Sequence, residues 1–226
     1  MRSKNRQLLP EPNDSYVQVP GRQGSILFPR ELADRRIELD CAFVGSSLAD
    51  IRAKAREIAA WLYTENREIL SFDDESEKYY RGKLAQAIDF EHLAVMGQFS
   101  LIFVCEPLAY GAEVLASFIN DTATVNNQGT FESYPVFTVT FTAAADEWRV
   151  TGPGDDYIRI VHDFLIGDEL ELNGATGAIY LNGVRALNKL DWQNSRFFPL
   201  RVGESTLIVT PTGVCTTRVS WIPRYL

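Results

Sequence analysis

The chain is poor in cysteine and histidine and has no long apolar run, and each scarcity removes a class of function. Its 226 residues include 3 cysteines and 2 histidines. Cys41, Cys105 and Cys215 are far apart, odd in number and without metal-type spacing. They read as small apolar strand residues, and folding in a reducing cytoplasm is expected. His92 and His162 lack any HExxH-like context, so neither is assigned a metal or general-base role. The longest apolar-rich segment, residues 99–105, is far too short to cross a bilayer. The basic start at residues 1–7 reaches Leu8-Leu9-Pro10 too soon for a signal peptide.

Positive charge is also in short supply. Lys and Arg number 22 against 30 Asp and Glu, a net charge of −8. That balance argues against nucleic-acid backbones and anionic membrane surfaces as partners. No GxSxG elbow, glycine-rich phosphate loop or nucleophile-type cysteine context is present. The acidic run Asp73-Asp74-Glu75 lacks the alternating ligands and internal glycine of a calcium loop, and reads as a solvated hairpin turn. With 30 acidic residues, no carboxylate pair stands out for glycoside hydrolysis. The expectation is a protein that is not an enzyme, with no cofactor and no metal.

What is present is core-forming material. Hydrophobic residues make up 46% and aromatics 12%, which excludes disorder of the whole chain. Residues 1–34 are rich in Pro, Gly and charge and resist assignment, apart from a short strand at Val17-Gln18-Val19 before Pro20-Gly21. Residues 35–44 alternate as a half-buried strand, with Ile37, Leu39, Cys41 and Phe43 on one face. Ser47 and Asp50 cap a helix at about 47–64 whose Leu48, Ile51, Ala55, Ile58 and Leu62 form an apolar stripe. Strands follow at residues 69–72, 78–90 and 98–105, and Glu106-Pro107 with Tyr110-Gly111 mark a break.

Residues 113–127 read as a link into a second, all-β half. There Phe137, Val139 and Phe141 alternate with Thr138 and Thr140, and Asn173-Gly174 and Asn182-Gly183 signal hairpins. Short strands at this spacing indicate a sandwich or jelly-roll-type domain. The expected division is 1–112 and 113–226.

Several stretches together resemble the distal tail (Dit) proteins of siphophages. They are Pro20-Gly21-Arg22-Gln23-Gly24 before Arg36-Ile37, Trp61-Leu62, then Ile69-Leu70-Ser71-Phe72-Asp73-Asp74-Glu75 and Lys78-Tyr79-Tyr80-Arg81-Gly82. Asn127-Gln128-Gly129-Thr130-Phe131, Gly167-Asp168-Glu169-Leu170 and Val219-Ser220-Trp221-Ile222-Pro223-Arg224 complete the order. No one motif is specific; the order and spacing are.

The resemblance implies a mainly β fold, with an N-terminal β-sandwich carrying one helix and a hairpin, then a galectin-like β-sandwich. It also implies a hexameric ring in the virion tail, joining the major tail tube protein to the tip protein and, in some relatives, to receptor-binding proteins. On this basis the hairpin at residues 69–84, with Phe72, Tyr79 and Tyr80, is the candidate ring contact. Few residues precede the Pro-Gly-Arg turn compared with the family, which bears on how complete the first sheet is. The competing reading is a carbohydrate-binding module, whose contacts would be Arg185, Asn188, Trp192 and Asn194.

Overall fold

The computed structural model describes residues 2–7, 9–42, 46–85 and 98–226. Phe43 and Val44 of the expected strand, residues 86–90 of another, and His92 lie outside the described residues. The chain divides into two compact units, residues 1–109 with Leu226, and residues 110–225.

The N-terminal unit is organised by a sheet in which β1 (Arg2–Arg6), β6 (Arg35–Ala42), β9 (Gln98–Cys105) and β8 (Tyr79–Leu84) follow one another in that order. A further strand, β7 (Glu68–Ser71), pairs antiparallel with β8. In β6 the alternation read from the sequence holds, and Ile37, Leu39 and Cys41 are buried. Arg35 shares that inward face and is only 3% exposed. Its Nε donates to the Pro107 carbonyl and its Nη1 to that of Gln7, both at 3.1 Å. Two carbonyl acceptors meet part of its donor set, while Nη2 has no hydrogen-bond partner among the described residues.

Helix α1 (Leu48–Leu62) starts as its sequence requires. The Ser47 Oγ accepts from the Asp50 N–H at 3.2 Å, and the Asp50 carboxylate accepts from the Ser46 N–H at 2.8 Å. Such caps contribute about 1 kcal/mol each. Ala55 and Leu62 are buried and Ile51 and Ile58 half-buried, whereas Ala59, Trp61 and Tyr63 are exposed.

Residues 11–33 form a ribbon that pairs with no third strand among the described residues. Its base pairs β2 (Pro12–Asn13) with β5 (Glu31–Leu32), and its outer part pairs β3 (Tyr16–Gln18) with β4 (Ser25–Leu27). Asp14 and Arg30 clamp it with two hydrogen bonds of 2.8 and 3.0 Å. Gly21 and Gly24, both at φ +82°, supply the left-handed turn geometry at its tip. A short strand, β10 (Ala109–Tyr110), then carries the chain into the second unit.

That unit is a β-sandwich. Six strands make one sheet, in the order β11 (Val114–Ser117), β20 (Cys215–Trp221), β13 (Val136–Phe141), β16 (Glu169–Asn173), β17 (Ala178–Leu181) and β18 (Val184–Arg185). Four make the other, in the order β12 (Thr122–Asn127), β19 (Gly203–Thr210), β14 (Ala145–Thr151) and β15 (Tyr157–Phe164). Inward residues of both sheets share one core. Phe137, Val139, Leu172 and Val219 come from the first, and Trp148, Val150, Ile158 and Leu207 from the second. Burying each such side chain stabilises the fold by about 1.5–3 kcal/mol. The Asn182-Gly183 pair, at φ 51° and 76°, turns β17 into β18 as expected. Asn173-Gly174 instead opens a longer loop, in which the Asn173 side chain accepts from the N–H groups of Ala175 and Thr176.

The unit closes on itself. β11 pairs with β20, Val114 opposite Trp221, and a final short strand, β21 (Arg224–Tyr225), lies beside Phe131. Asn127 explains that closure, since its side chain donates to the carbonyls of Phe131 and Leu200 and accepts from the Gly129 N–H.

Candidate functional site

The hairpin at residues 69–84 forms as expected, with β7 and β8 joined by a turn of 3₁₀ helix at Asp73–Glu75. The turn is not free in solvent. Arg6 of β1 pairs with Asp74 and lies 3.6 Å from Glu75, while the Lys78 Nζ is 2.7 Å from Glu75. The Arg6 guanidinium also stands 4.5 Å from the centre of the Phe72 ring.

The three residues proposed for ring contact therefore differ in what they can do. Phe72 and Tyr79 are half-buried. Tyr80 is 5% exposed and packs edge-on to Phe72 at 6.0 Å, so it belongs to the interior of its own unit. A side chain so enclosed offers almost no surface to a neighbour, and the role of direct contact does not fit it. Burial, with the nearby Glu75 carboxylate, raises the pKa of its phenol and keeps it neutral.

Beside this hairpin lies a groove of about 290 Å³, lined by Trp61, Leu62, Ile69, Leu70, Leu84 and Phe103 with Thr64, Glu68, Gly82 and Lys83. Trp61 is 70% and Ile69 67% exposed. Along the ribbon, Tyr16, Val17, Val19, Ile26, Leu27 and Phe28 are exposed as well. Most of this ribbon lies in the stretch that resists assignment from sequence. The signal that would have found it is the pair of alternating apolar runs flanking Pro20-Gly21 and Gly24.

In the second unit, Arg185, Asn188, Trp192 and Asn194 are all exposed, Trp192 at 63%. They follow a loop that leaves β18, at the edge of one sheet, and is pinned to β15, at the edge of the other. Arg159 of β15 holds that loop, donating from Nε to Glu147 at 2.7 Å and from Nη1 to Asp191 at 3.3 Å. The Asn194 amide is spent on the Asp191 carboxylate, at 3.0 and 3.1 Å. Those bonds, with the Arg159 charge, hold the Asp191 pKa below the usual carboxylate range. No two of the four candidate residues bond to each other; the polar groups brace the loop.

No grouping of three or more His, Cys, Asp or Glu among the described residues could hold a metal ion. His162 stands edge-on to Phe164 at 5.2 Å. Cys41 and Cys105 are buried, and burial pushes the Cys105 thiol up to about 11, far from a reactive thiolate. No described helix is long and apolar enough to cross a membrane. What the surface offers is apolar contact area.

Comparison with known proteins agrees with a protein built for contact. A domain described as a phage tail protein RIFT-related domain matches residues 1–105. The C-terminal domain of a siphovirus-type tail component matches residues 128–225. The distal tail protein of Bacillus phage SPP1 is 23% identical over 171 residues, covering 73% of this chain and 68% of that protein. The crystal structure of SPP1 Dit, described as a paradigm of the hub adsorption apparatus in phages infecting Gram-positive hosts, shares its fold. It superposes with a TM-score of 0.82 at 19% identity, over 99% of this chain and 93% of that one. With both family domains in order, this chain belongs to the siphophage distal tail (Dit) family and is a structural protein of the phage tail.

Proposed function

We propose that copies of this chain form a closed ring of six at the distal end of the tail tube. The ring acts as the baseplate hub between the tube, the tip protein and receptor-binding proteins. The observation that carries this reading is the likeness to SPP1 Dit, a hub protein, along nearly the whole chain. The physical character of the surface supports it. Apolar side chains stand exposed in the N-terminal unit, where a solvated monomer would leave them uncovered. Repeated heterologous contacts between identical chains close into rings when the rotation per step permits.

In this role the protein performs no catalysis, and it works through rigidity and contact area. The N-terminal unit makes the ring. The C-terminal sandwich presents exposed turns, among them Leu165 and Ile166, to other baseplate proteins. Mass in solution by light scattering, with negative-stain imaging, tests the proposal. A six-membered ring is expected, and a monomer at every concentration would overturn it.

A further inference from the structure

The two flanks of the second unit's sandwich are finished differently. On one flank the edge strand β15 is covered by the stretch that follows β18. The N–H groups of Asp191 and Arg196 donate to the carbonyls of Arg159 and Tyr157 at 3.0 and 2.8 Å. The Arg159 N–H donates to the Ser195 Oγ at 3.0 Å, and Leu190, Phe198 and Leu200 of the same stretch are buried.

The other flank, where the chain passes from β11 to β12 through the turn at Ile119 and Thr122, has no such cover. Every residue of this unit is described, and within it β12 pairs with β19 alone. The Val209 N–H donates to the Asp121 carbonyl at 2.8 Å, and with the register this commits the backbone of Ala123, Val125 and Asn127 to β19. The N–H and C=O groups of Thr124 and Asn126 therefore point away from the sheet, without a backbone partner among the described residues. Between the two edges, Ala116 and Phe118 pack against the core yet are only half-buried.

Exposed edges are blunted by charge, proline or a bulge. Strand β12 has none of these, since it reads Thr-Ala-Thr-Val-Asn-Asn in unbroken register with β19. Thr122, Thr124 and Asn126 stand exposed along it. Opposite Asn126 is Glu204, also exposed, the one ionisable side chain on the outer face of the β12–β19 pair.

We infer that β12 receives an extended segment of another tail protein as an added strand. Main-chain bonds at Thr124 and Asn126 supply affinity, and alternating side chains set the register. The edge dictates the segment's chemistry: uncharged β-branched residues beside Thr122 and Thr124, small apolar ones toward Ala116 and Phe118, and a Lys or Arg near Glu204. Pairing β12 with its own counterpart on a second copy is isologous and needs a two-fold axis, which a head-to-tail ring lacks. The inference rests on the ring reading and deepens it, since it names a strand at which a different protein attaches.

Hydrogen exchange, read by mass spectrometry with backbone fragmentation, compares the purified ring with isolated tails. The amides of Thr124 and Asn126 should exchange fast in the ring and about 100-fold slower in tails, while that of Val125 is slow in both. Asn126→Lys and Thr124→Pro each alter only outward-pointing groups of an edge strand. Each variant should keep the ring's mass and melting temperature, and the amide at position 126 should stay fast in tails built from it. Amides that remain fast in wild-type tails overturn the strand addition and leave the ring reading intact. Protection already complete in the purified ring gives the edge to a second copy and overturns it as well. A wild-type chain that never associates overturns the ring reading itself.

Discussion

The guanidinium of Arg35 lies 5.4 Å from the centre of the Tyr80 ring, and both residues are buried in the N-terminal unit. The ring shields a charge whose hydrogen bonds go to the carbonyls of Gln7 and Pro107. Tyr80→Ala should therefore lower stability by about 3–5 kcal/mol. Tyr79→Ala, at a half-buried position, should cost about 1 kcal/mol. Urea unfolding of the full chain, followed by circular dichroism, distinguishes them. Equal midpoints for the two variants would contradict the burial of Tyr80.

A Cβ at Gly129 would stand 2.5 Å from the Arg224 carbonyl oxygen and 2.9 Å from its nitrogen. Both are backbone atoms and have no rotamer to escape into. Gly129→Ala is expected to destabilise the second unit by about 1–3 kcal/mol, as overpacking does. The readout is a thermal melt, and an unshifted transition would mean that β21 is not held against residues 129–131.

Acid should weaken the second unit through two aspartates. Asp168 accepts from the Leu165 N–H and the Asn182 amide, each at 2.8 Å, and these bonds lower its pKa. Asp191 is lowered by Asn194 and Arg159. A carboxylate lowered by folding contributes its full stabilisation above its unfolded pKa. That contribution fades as pH falls from the ordinary carboxylate range through the lowered folded value. Asp168→Asn and Asp191→Asn should flatten the acid limb of a melting-temperature profile and lose most stability near neutral pH. A limb of unchanged steepness in both would remove these residues as its cause.

Trp61 and Trp192 are exposed at 70% and 63%, while Trp148 and Trp221 are buried. Acrylamide should quench two populations of tryptophan fluorescence, and Trp192→Ala should remove part of the accessible one with a stability change of about 0.5 kcal/mol or less. Cell-wall oligosaccharides should leave the emission unchanged, because the Asn194 and Asp191 groups beside Trp192 are already bonded to each other. A saturable shift on titration would revive the carbohydrate-binding reading.

Much of the core was legible because it obeys simple periods. Ile37, Leu39 and Cys41, and likewise Phe137, Val139 and Phe141, alternate in sequence and are buried in the structure. Helix α1 was announced by Ser47, whose hydroxyl caps it. Other elements hide from periodicity. Strand β14, residues Ala145–Thr151, carries Asp146, Glu147 and Arg149 between its apolar residues, and its strand character depends on partners far along the chain. Arg35 reads as a surface cation and becomes interior only because two distant carbonyls meet it. The aromatic company that makes Tyr80 look like contact material in the sequence helps to enclose it in the structure, where Phe72 packs edge-on against its ring. Both outer strands of the ribbon are exposed at every residue, so they lack the alternation that marks a half-buried strand.

The pairing of Val114 with Trp221 has a mechanical consequence. Strand β11, near the start of the second unit, and β20, near its end, lie side by side, with entry and exit at the same end of the pair. Tension applied across those two points loads one rung of the ladder at a time, so it peels the strands apart like a zip. Strands pulled lengthwise would share the load across every rung and resist far more. A particle that must withstand a pull would therefore gain little by routing it through this sandwich, and would do better to let the sandwich hang as a side branch of the load path.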